Sequence, residues 1–347
     1  MIRILVGDAL TRLRELPNES VHCCVTSPPY WGLRDYGTGT WIGGDPECNH
    51  VQGRPGWERM DGTIDERHKR NRDGIAAVTR KVCRCGAERE DQQLGLEPTI
   101  QEFISSMVEV FSEVRRVLRK DGSLWMNMGD CYVTTPPGNR NGTSDVDGAY
   151  ARRQARQSGP DVKAIFTASK GTDWPVKSLV AQSWRLALAM QDDGWLLRQS
   201  IIWHKPAPMP ESCRDRFTRA HEYIFHLTRT GKYYWDFDAA QEPAADGTVR
   251  NRRTIWTVPA EPCGEAHYVT YPTKLVEPCI ACSCPPDGVV LDPFGGSGTT
   301  GIVADRQGKH SILIELNPAN VEIMQRRIRK AWTKDSATTW TMGCSRR

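Results

Sequence analysis

A short polar loop near the start of the chain, residues 26–30 with the sequence Thr-Ser-Pro-Pro-Tyr, carries side chains suited to chemistry. An apolar run at 21–25 precedes it, and the two prolines predict that this run ends as a strand, because proline has no backbone donor and a fixed φ angle. Open α/β sheets bind ligands at the carboxyl ends of their strands. A hydroxyl, stiff carbonyls and an aromatic ring at that edge could hold a flat heteroaromatic amine by its face and its edge. A turn in which Tyr30 caps the core is the alternative.

A second candidate site is a predicted strand that runs into a glycine-rich turn, at residues 289–300. Glycines let the backbone approach a ligand closely, and the helix that follows offers free N–H groups at its N-terminus. Asp292 ends this strand and Glu315 ends the next, 23 residues later, where an acid is placed to bind ribose hydroxyls. The turn lacks the lysine of a phosphate-binding loop and differs from the dinucleotide fingerprint. We therefore expect a nucleoside ligand without a pyrophosphate.

Asp8 is a third acidic candidate, because it follows the apolar strand predicted at 2–6 and so lies at the same kind of sheet edge. Its carboxylate could accept hydrogen bonds from a ligand amine. Capping of the helix predicted at 9–16 is the alternative, since aspartate is a favoured N-cap residue.

Cysteine and histidine residues in the segment 36–95 predict a metal site. The segment is rich in Gly, Arg and Asp and has little periodicity, which is typical of an insertion in an α/β fold. Within it lie two short pairs, Cys48-x-His50 and Cys83-x-Cys85. One imidazole and three thiolates suit structural, tetrahedral zinc, which would stabilise a segment with too little apolar content to hold itself together. Coincidence in a cysteine-rich chain is the alternative.

The rest of the pattern alternates strands with helices and predicts a doubly wound, mostly parallel α/β sheet. An apolar stripe predicts a helix over 99–118 followed by a strand over 123–128, and a second helix over 175–194 followed by a strand over 196–203. The segments 222–227 and 232–237 predict a pair of strands joined by a short turn.

The composition excludes a membrane-spanning protein and favours a reducing compartment. The chain has 347 residues, 25% of them charged, and a formal net charge of +4, which permits a nucleic-acid partner without requiring one. No apolar run is long enough to span a bilayer and no cleavable leader is visible, so we expect a cytoplasmic protein of a bacterial cell, or of the host cell if a virus encodes it. The twelve cysteines predict reduced thiols and a metal site rather than disulfides.

The two candidate sites together resemble the S-adenosylmethionine-dependent DNA amino-methyltransferases, which modify N4 of cytosine or N6 of adenine. The resemblance rests on two motifs, in the order of the permuted beta arrangement of that family. The catalytic motif stands here as Ser27, Pro28, Pro29 and Tyr30. The cofactor motif stands as Asp292, Pro293, Phe294, Gly295, Gly296, Ser297, Gly298 and Thr299. Shorter matches at 7–8, 125–130, 196–205, 271–275 and 315–318 follow the family order, so the resemblance covers most of the chain outside two insertions.

The resemblance implies a Rossmann-like methyltransferase fold and a role for each matched residue. Ser27 and the Pro28 carbonyl would accept hydrogen bonds from the target amine, and Tyr30 would stack on a base flipped out of double-stranded DNA. Glu315 would hold the ribose of the cofactor, and Asp8 its adenine amino group. The other residues expected to bind S-adenosylmethionine are Tyr271, Thr273, Lys274, Asp292, Phe294, Gly295, Gly296, Ser297, Gly298, Thr299 and Asn317.

The same resemblance predicts how the chain is divided. Residues 1–35 and 96–205 would form the catalytic half of the methyltransferase domain, and 266–333 the cofactor-binding half. The predicted zinc segment, 36–95, and a flexible loop at 131–173 would be inserted into the catalytic half. Residues 206–265 would form the target-recognition region and 334–347 a tail.

Serine at the first position of the catalytic motif is mostly found in family members that methylate cytosine at N4, whereas aspartate or asparagine mostly marks adenine N6. We therefore predict an N4-cytosine methyltransferase, with N6-adenine as the alternative. A zinc-containing nucleic-acid-binding protein without turnover would leave both motifs without a purpose, and a methyltransferase acting on RNA or protein would share the chemistry. The sequence predicts neither the recognition sequence nor the oligomeric state.

Overall fold

The computed structural model of the protein describes residues 1–32, 34–48, 83, 85–133, 163–164, 174–211, 213–261 and 271–343. Its strands are β1 (Ile2–Val6), β2 (Val21–Thr26), β3 (Arg34–Asp35), β4 (Thr40–Ile42), β5 (Glu88–Glu90), β6 (Leu118–Met128), β7 (Lys163–Ala164), β8 (Leu196–His204), β9 (His221–Thr228), β10 (Gln241–Pro243), β11 (Val249–Asn251), β12 (Ile255–Thr257), β13 (Val289–Asp292) and β14 (His310–Glu315). Its helices are α1 (Ala9–Arg14), α2 (Ile100–Val117), α3 (Gln182–Asp192), α4 (Thr273–Ser283), α5 (Thr299–Arg306) and α6 (Pro318–Gly343).

Eight of the strands form one sheet in the order β1-β14-β13-β2-β6-β9-β8-β12. The five strands from β1 to β6 are parallel. The chain moves from β13 to β14 in one direction and from β2 to β6 in the other, so the order reverses between β13 and β2. Ligands of open α/β sheets bind at such a reversal, outside the carboxyl ends of the strands. The predicted doubly wound, mostly parallel fold is confirmed.

Strand β9 runs antiparallel to both of its neighbours, β6 and β8. The predicted pairing of 222–227 with 232–237 is therefore wrong. Residues 232–237 form no strand and instead bond to the ends of distant elements: Tyr234 N donates to Asp121 O at 2.8 Å, and Asp236 N to Cys282 O at 2.8 Å. Strands β6 and β8 are longer than segment 232–237, and they hydrogen-bond to both edges of β9. A local hairpin with 232–237 would hydrogen-bond to only one edge.

The helices follow the apolar periodicity where it is strong. Helix α2 matches the prediction over 99–118, and Thr99 caps it by accepting a hydrogen bond from Glu102 N at 3.1 Å. Helix α3 begins later than the predicted residue 175, because Lys177 and Ala181 have positive φ angles of 78° and 57°. Residues 177–180 instead bond to the backbone of residues 131–133.

Two layers of helices cover the sheet. Helices α1, α2 and α3 bury their apolar faces in one core cluster, which includes Phe103, Phe111 and Trp195. Helices α4 and α5 pack on the other face in a second cluster with Trp125 and Trp203. Both faces of the parallel strands are thus buried, which leaves the strand ends as the place for polar chemistry.

The predicted insertions lie mostly outside the described residues, since neither 49–82 nor 134–162 is described. The described part of the first insertion forms its own two-stranded sheet, in which β4 pairs antiparallel with β5. Strands β3 and β7 form another such pair. Across the described ranges, we find no helix with both the length and the apolar character needed to cross a bilayer.

Candidate active site at the carboxyl edge of the sheet

The proline loop and the glycine turn meet at the reversal of strand order. Strand β13 pairs in parallel with β2, and the two loops leave the sheet side by side. Thr26 Oγ1 donates a hydrogen bond of 2.7 Å to Oδ1 of Asp292, and both residues are buried. The two candidate sites predicted from the sequence therefore lie next to each other at this edge of the sheet.

The backbone after the proline loop is fixed by contacts with two other segments. Trp31 is buried; its backbone N–H donates to Gln182 Oε1 and its indole N–H to Glu97 O, each at 2.9 Å. Gly95 accepts a hydrogen bond from Gly32 N and approaches the loop so closely that a Cβ atom there would lie 2.9 Å from the Tyr30 carbonyl oxygen. The loop is consequently held in one conformation before any ligand binds.

Glu222 on β9 holds the aromatic ring of the loop. The Tyr30 hydroxyl donates a hydrogen bond of 3.0 Å to Oε2 of Glu222, and Lys205 Nζ forms an ion pair with Oε1 of the same carboxylate. Asn127 Nδ2, on β6, donates to Glu222 Oε2 at 3.3 Å and to the Tyr223 carbonyl at 3.1 Å. Three strands that are far apart in sequence thus fix one phenol group.

Burial raises the pKa of the Tyr30 phenol well above its usual range, and the negative charge of Glu222 raises it further, against hydrogen bonding by Ser27 and the Gly129 backbone. The phenol therefore stays neutral at physiological pH and keeps the proton with which it donates a hydrogen bond to Glu222. Gly129 leaves room for this contact, since a Cβ atom there would lie 3.0 Å from the Tyr30 ring and 3.2 Å from the Glu222 side chain.

Asp292 is the centre of a second network. Its Oδ2 accepts hydrogen bonds from Tyr271 OH at 2.9 Å and from Thr300 Oγ1 at 2.6 Å. Its Oδ1 accepts from Thr26 and from the backbone N–H of Phe294 at 3.1 Å. Burial raises the pKa of this carboxyl, while the hydrogen bonds from Thr300 and Thr26 oppose the rise.

Glu315, at the end of β14, is bound in the same way by the chain around it. Gly296 N donates to Oε2 at 2.8 Å, while Asn317 N at 2.8 Å and Asn320 Nδ2 at 3.0 Å donate to Oε1. Burial raises the pKa of Glu315, and these donors lower it in part. Among the described lysines and arginines, none forms an ion pair with Glu315 or Asp292.

The glycine turn needs its small residues for steric reasons. Gly298 has a φ angle of 81°, and a Cβ atom there would lie 2.6 Å from Met324 Cγ on α6. Gly295 is similarly close to Met324 and donates its N–H to the Ile314 carbonyl at 2.7 Å. Arg327, also on α6, donates to the Ser297 carbonyl at 2.6 Å and to Thr299 Oγ1 at 3.2 Å, and bonds to the Ser297 hydroxyl. Helix α6 therefore packs against the turn through Met324 and hydrogen-bonds to it through Arg327.

Comparison with known proteins agrees with this geometry. Residues 21–326 match the DNA methylase family N6_N4_Mtase. The protein belongs to this DNA methylase family. Type II methyltransferase M.Cfr9I of Citrobacter freundii is 40% identical to it over 322 residues, which are 93% of this chain and 86% of that protein. Type II methyltransferase M.SmaI of Serratia marcescens is 36% identical over 328 residues, 94% of this chain and 90% of that protein.

Solved structures show the same fold. The cytosine-N4-specific PvuII DNA methyltransferase superposes with a TM-score of 0.56 at 18% identity, covering 96% of this chain and 92% of that one. TTHA0409 of Thermus thermophilus, described as a putative DNA modification methylase and solved in complex with S-adenosyl-L-methionine, superposes with a TM-score of 0.54 at 22% identity, covering 95% of this chain and 94% of that one.

Asp8 lies at the carboxyl end of β1 in the DNA methylase, beside β14, and caps α1. Its Oδ1 accepts hydrogen bonds from Thr11 N at 2.8 Å and from Thr11 Oγ1 at 3.0 Å. Its predicted contact with the adenine amino group stays a prediction. Asn317 is likewise a cap, since its Oδ1 accepts from Ala319 N at 3.0 Å, and its Nδ2 donates to the Tyr36 carbonyl at 3.3 Å.

The motif around Tyr271 divides between two places. Tyr271 joins the Asp292 network, whereas Thr273 donates its N–H and hydroxyl to the carboxylate of Glu261 at 3.1 and 2.9 Å. Lys274 lines a cavity of about 520 Å³ between α4 and α5 whose lining includes no residue of the glycine turn. The predicted cofactor contacts of Tyr271, Thr273 and Lys274 stay predictions.

The three cysteines of the predicted metal site lie together in the DNA methylase. The Sγ atoms of Cys48, Cys83 and Cys85 are all within 4.8 Å of one another, and Cys48 and Cys83 are 3.8 Å apart. Hydrogen bonding to the Ala87 backbone lowers the pKa of Cys85 to about 6. The β4–β5 pairing holds the two ends of the segment side by side. His50, the fourth predicted ligand, lies outside the described residues.

Sequence inspection missed Glu222, Lys205, Asn127 and Arg327. The signal that could have found the first three is a polar side chain inside or just after a strongly apolar strand. Their partners come from other strands, so the pattern along the chain did not reveal the network.

Proposed function

We propose that the protein transfers the methyl group of S-adenosylmethionine to the exocyclic N4 amine of cytosine in double-stranded DNA. The observation that carries this proposal is the direct link between the two motifs: Thr26, the residue before the catalytic motif, donates to Asp292, the first residue of the cofactor motif, at 2.7 Å. A base held at the first motif would face a methyl donor held at the second.

The residues account for the chemistry. An exocyclic base amine is a weak nucleophile because its lone pair is delocalised into the ring. The Ser27 hydroxyl and the Pro28 carbonyl would accept its two N–H groups and favour a pyramidal nitrogen. So oriented, the nitrogen lone pair would face the methyl carbon in line with its carbon–sulfur bond; the electron pair of that bond would leave with the neutral thioether, and one amine proton would pass to solvent. A stiff loop contributes by holding the amine in this orientation, and no catalytic thiol is needed.

The carboxylates of Asp292 and Glu315 and the glycine turn between them would bind the cofactor. S-Adenosylmethionine supplies an electrophilic methyl group on a sulfonium cation. Glu315 would accept hydrogen bonds from its ribose, and Asp292, Phe294, Gly295 and Gly298 would surround its methionine part. The solved complex of the Thermus thermophilus methylase with this cofactor supports the same ligand for this chain.

Serine in the first motif position supports cytosine over adenine, as does the similarity to the cytosine-N4-specific PvuII enzyme in fold. N6-adenine methylation uses the same chemistry and is the second candidate, because the same loop can bind either amine. A binding protein without turnover is disfavoured, since it gives the Asp292 and Glu315 networks no task.

The deciding experiment incubates the purified protein with duplex DNA of varied sequence and S-adenosylmethionine, then identifies methylated nucleosides by mass spectrometry. N4-Methylcytosine is the expected product. N6-Methyladenine would overturn the base assignment while keeping the mechanism, and cofactor binding without any methylated DNA base would overturn the proposal and direct attention to RNA or protein.

We also propose that Cys48, Cys83, Cys85 and His50 bind a structural zinc ion. A tetrahedral site with Zn–S bonds of about 2.3 Å places its sulfurs about 3.8 Å apart, and the Cys48–Cys83 sulfur distance is 3.8 Å. The chain on either side of the site joins the catalytic loop through Gly95 and the cofactor side through Tyr36.

Cys83→Ser should lose the zinc that metal analysis finds in the wild-type protein, and its midpoint of thermal unfolding should fall. Cys213→Ser, at a half-buried cysteine outside the cluster, is the matched control and should keep the metal. A wild-type protein purified without metal, in buffers free of chelators, would contradict the zinc site.

A further inference from the structure

The most exposed large apolar side chain in the described part of the chain is Phe217. Its side chain is 97% exposed, compared with 64% for Val249, while the terminal Met1 reaches 83%. Burying a phenylalanine side chain is worth about 1.5–3 kcal/mol. A phenyl ring that is fully in water on an ordered loop therefore points to a surface that covers it.

The loop that carries Phe217 runs from residue 205 to residue 220, and its described residues, 205–211 and 213–220, are held by hydrogen bonds on both sides of the ring. Lys205 N donates to the Ala220 carbonyl at 2.7 Å and closes the base of the loop. Within it, Glu211 accepts hydrogen bonds from Arg216 Nη1 at 2.5 Å and from Arg219 N at 3.4 Å.

Contacts with neighbouring segments anchor the same loop. The Arg216 guanidinium lies 4.0 Å from the centroid of the Tyr132 ring, and Asp215 pairs with Lys177 at 2.5 Å. Arg216 and Glu211 are both largely buried, so charged side chains next to Phe217 turn toward the protein while the apolar ring turns toward solvent. This reverses the usual arrangement of a surface loop.

The position of the loop identifies what covers the ring. The loop connects β8 to β9 at the carboxyl edge of the parallel strands, and Lys205 and Glu222 at its two ends both belong to the Tyr30 network. The loop segment contains four basic and two acidic residues, and Arg214 is exposed. A positive loop with an outward aromatic ring beside a base-binding pocket matches the surface of duplex DNA.

We propose that Phe217 inserts into the base stack of duplex DNA at the position vacated when the target base enters the site. Taking a base out of a duplex requires unpairing and unstacking, which is unfavourable by a few kcal/mol. An apolar ring placed between the flanking base pairs replaces the lost stacking and keeps the base extruded. This inference rests on the proposed methyl transfer to duplex DNA.

The test compares Phe217→Ala with wild type on two synthetic duplexes that contain the sequence found methylated in wild-type-treated DNA. One duplex is fully paired, and in the other the target base faces an abasic site. We expect kcat/KM on the paired duplex to fall roughly 10- to 100-fold, and most of that loss to disappear on the abasic duplex, where unpairing has already occurred. The Kd for S-adenosylmethionine should not change.

Phe237→Ala is the matched control. Phe237 is 55% exposed but follows Asp236, which bonds to Cys282 near the end of α4, at the opposite edge of the sheet. It should behave as wild type on both duplexes. Phe217→Trp, which keeps a stacking ring, should retain most activity on the paired duplex.

Three results would overturn the insertion. Phe217→Ala could equal wild type on the paired duplex, or it could lose the same factor on both duplexes, which would indicate a general contact. Sedimentation could instead show that Phe217→Ala separates a wild-type dimer, which would make a second copy of the chain the covering surface. Because wild type identifies the methylated base independently, failure of this inference is distinguishable from failure of the proposed reaction.

Discussion

The two halves of the site treat their carboxylates differently. On the side that we propose to bind the cofactor, Asp292 and Glu315 accept hydrogen bonds from hydroxyls, amides and backbone N–H groups, and no described lysine or arginine pairs with either. On the target side, Glu222 has an ion pair with Lys205 in addition to its hydrogen bonds from Tyr30 and Asn127. The two carboxylates of the first half therefore have no cationic partner among the described residues, whereas the carboxylate of the second half has one.

This difference matches the charges of the two proposed ligands. A sulfonium cofactor carries positive charge next to the group that it donates, and buried carboxylates without a cation stabilise that charge in a medium of low dielectric constant. The target amine is neutral, so an uncompensated charge beside it would bind water and ions more readily than a base. The comparison predicts that substitutions on the two sides affect different kinetic constants.

The largest effect is expected for Ser27→Ala on the target side. It removes the acceptor that we propose binds the amine in the transition state, so kcat should fall by about 10²–10³ while the cofactor Kd stays within twofold. Ser20→Ala, at the other end of the same strand, is the control and should keep full activity. Tyr30→Ala should lower kcat by no more than Ser27→Ala does, again without loss of cofactor binding. Full activity in either catalytic variant would show that the loop has another role.

Glu315→Ala should show the reverse pattern. Loss of hydrogen bonds to a charged acceptor should raise the cofactor Kd by about 10- to 100-fold, and kcat at saturating cofactor should change much less. Isothermal titration with S-adenosylmethionine measures the first, and steady-state kinetics the second. Glu322→Ala, on the exposed side of α6, is the matched control. An unchanged Kd would remove Glu315 from the cofactor site.

A smaller effect is expected from Glu222, which acts through Tyr30. Glu222→Ala removes the acceptor of the phenol together with the ion-pair partner of Lys205, and Tyr30→Phe removes the hydroxyl. Each should lower kcat by about 3- to 10-fold, and the double variant should lose no more than the worse single variant, because both changes break one contact. Additive losses would mean that Glu222 acts independently of Tyr30.

The smallest effect is expected on the pH dependence of cofactor affinity. Burial raises the pKa of Glu315 above its ordinary value of 4.5, so its ionised, accepting form decreases as the pH falls toward that raised pKa. Cofactor affinity should therefore weaken as the pH falls toward this raised pKa and be constant at pH values well above it. Glu315→Gln should bind more weakly but with a flatter profile, which retains only the contribution of Asp292, whose pKa is also raised. An identical profile in the variant would assign the titration elsewhere.

The fold was largely predictable because strands β2 and β13 and the C-terminal parts of β6 and β14 are mostly apolar runs ended by proline, glycine or an acid. The prolines and glycines that end these strands also indicated where both motifs lie. The resemblance to known methyltransferases then predicted that the two motifs belong to one site. The pairing of β9 was not predictable from local turn signals, since it depends on two strands that are distant in the chain. The Glu222 contacts escaped for the same reason.

The hydrogen bond between Thr26 and Asp292 has a consequence for the order of assembly, because the two residues are 266 positions apart in the chain. During synthesis the catalytic motif leaves the ribosome early, but nearly the whole chain must be made before β13, the strand that pairs with β2, is available. Central sheet pairing over such a separation is slow compared with local helix formation. Ribosome-bound or prematurely ended chains should therefore have no methylating activity at all, so that the modifying activity of a cell follows the number of completed molecules rather than the number of translation starts.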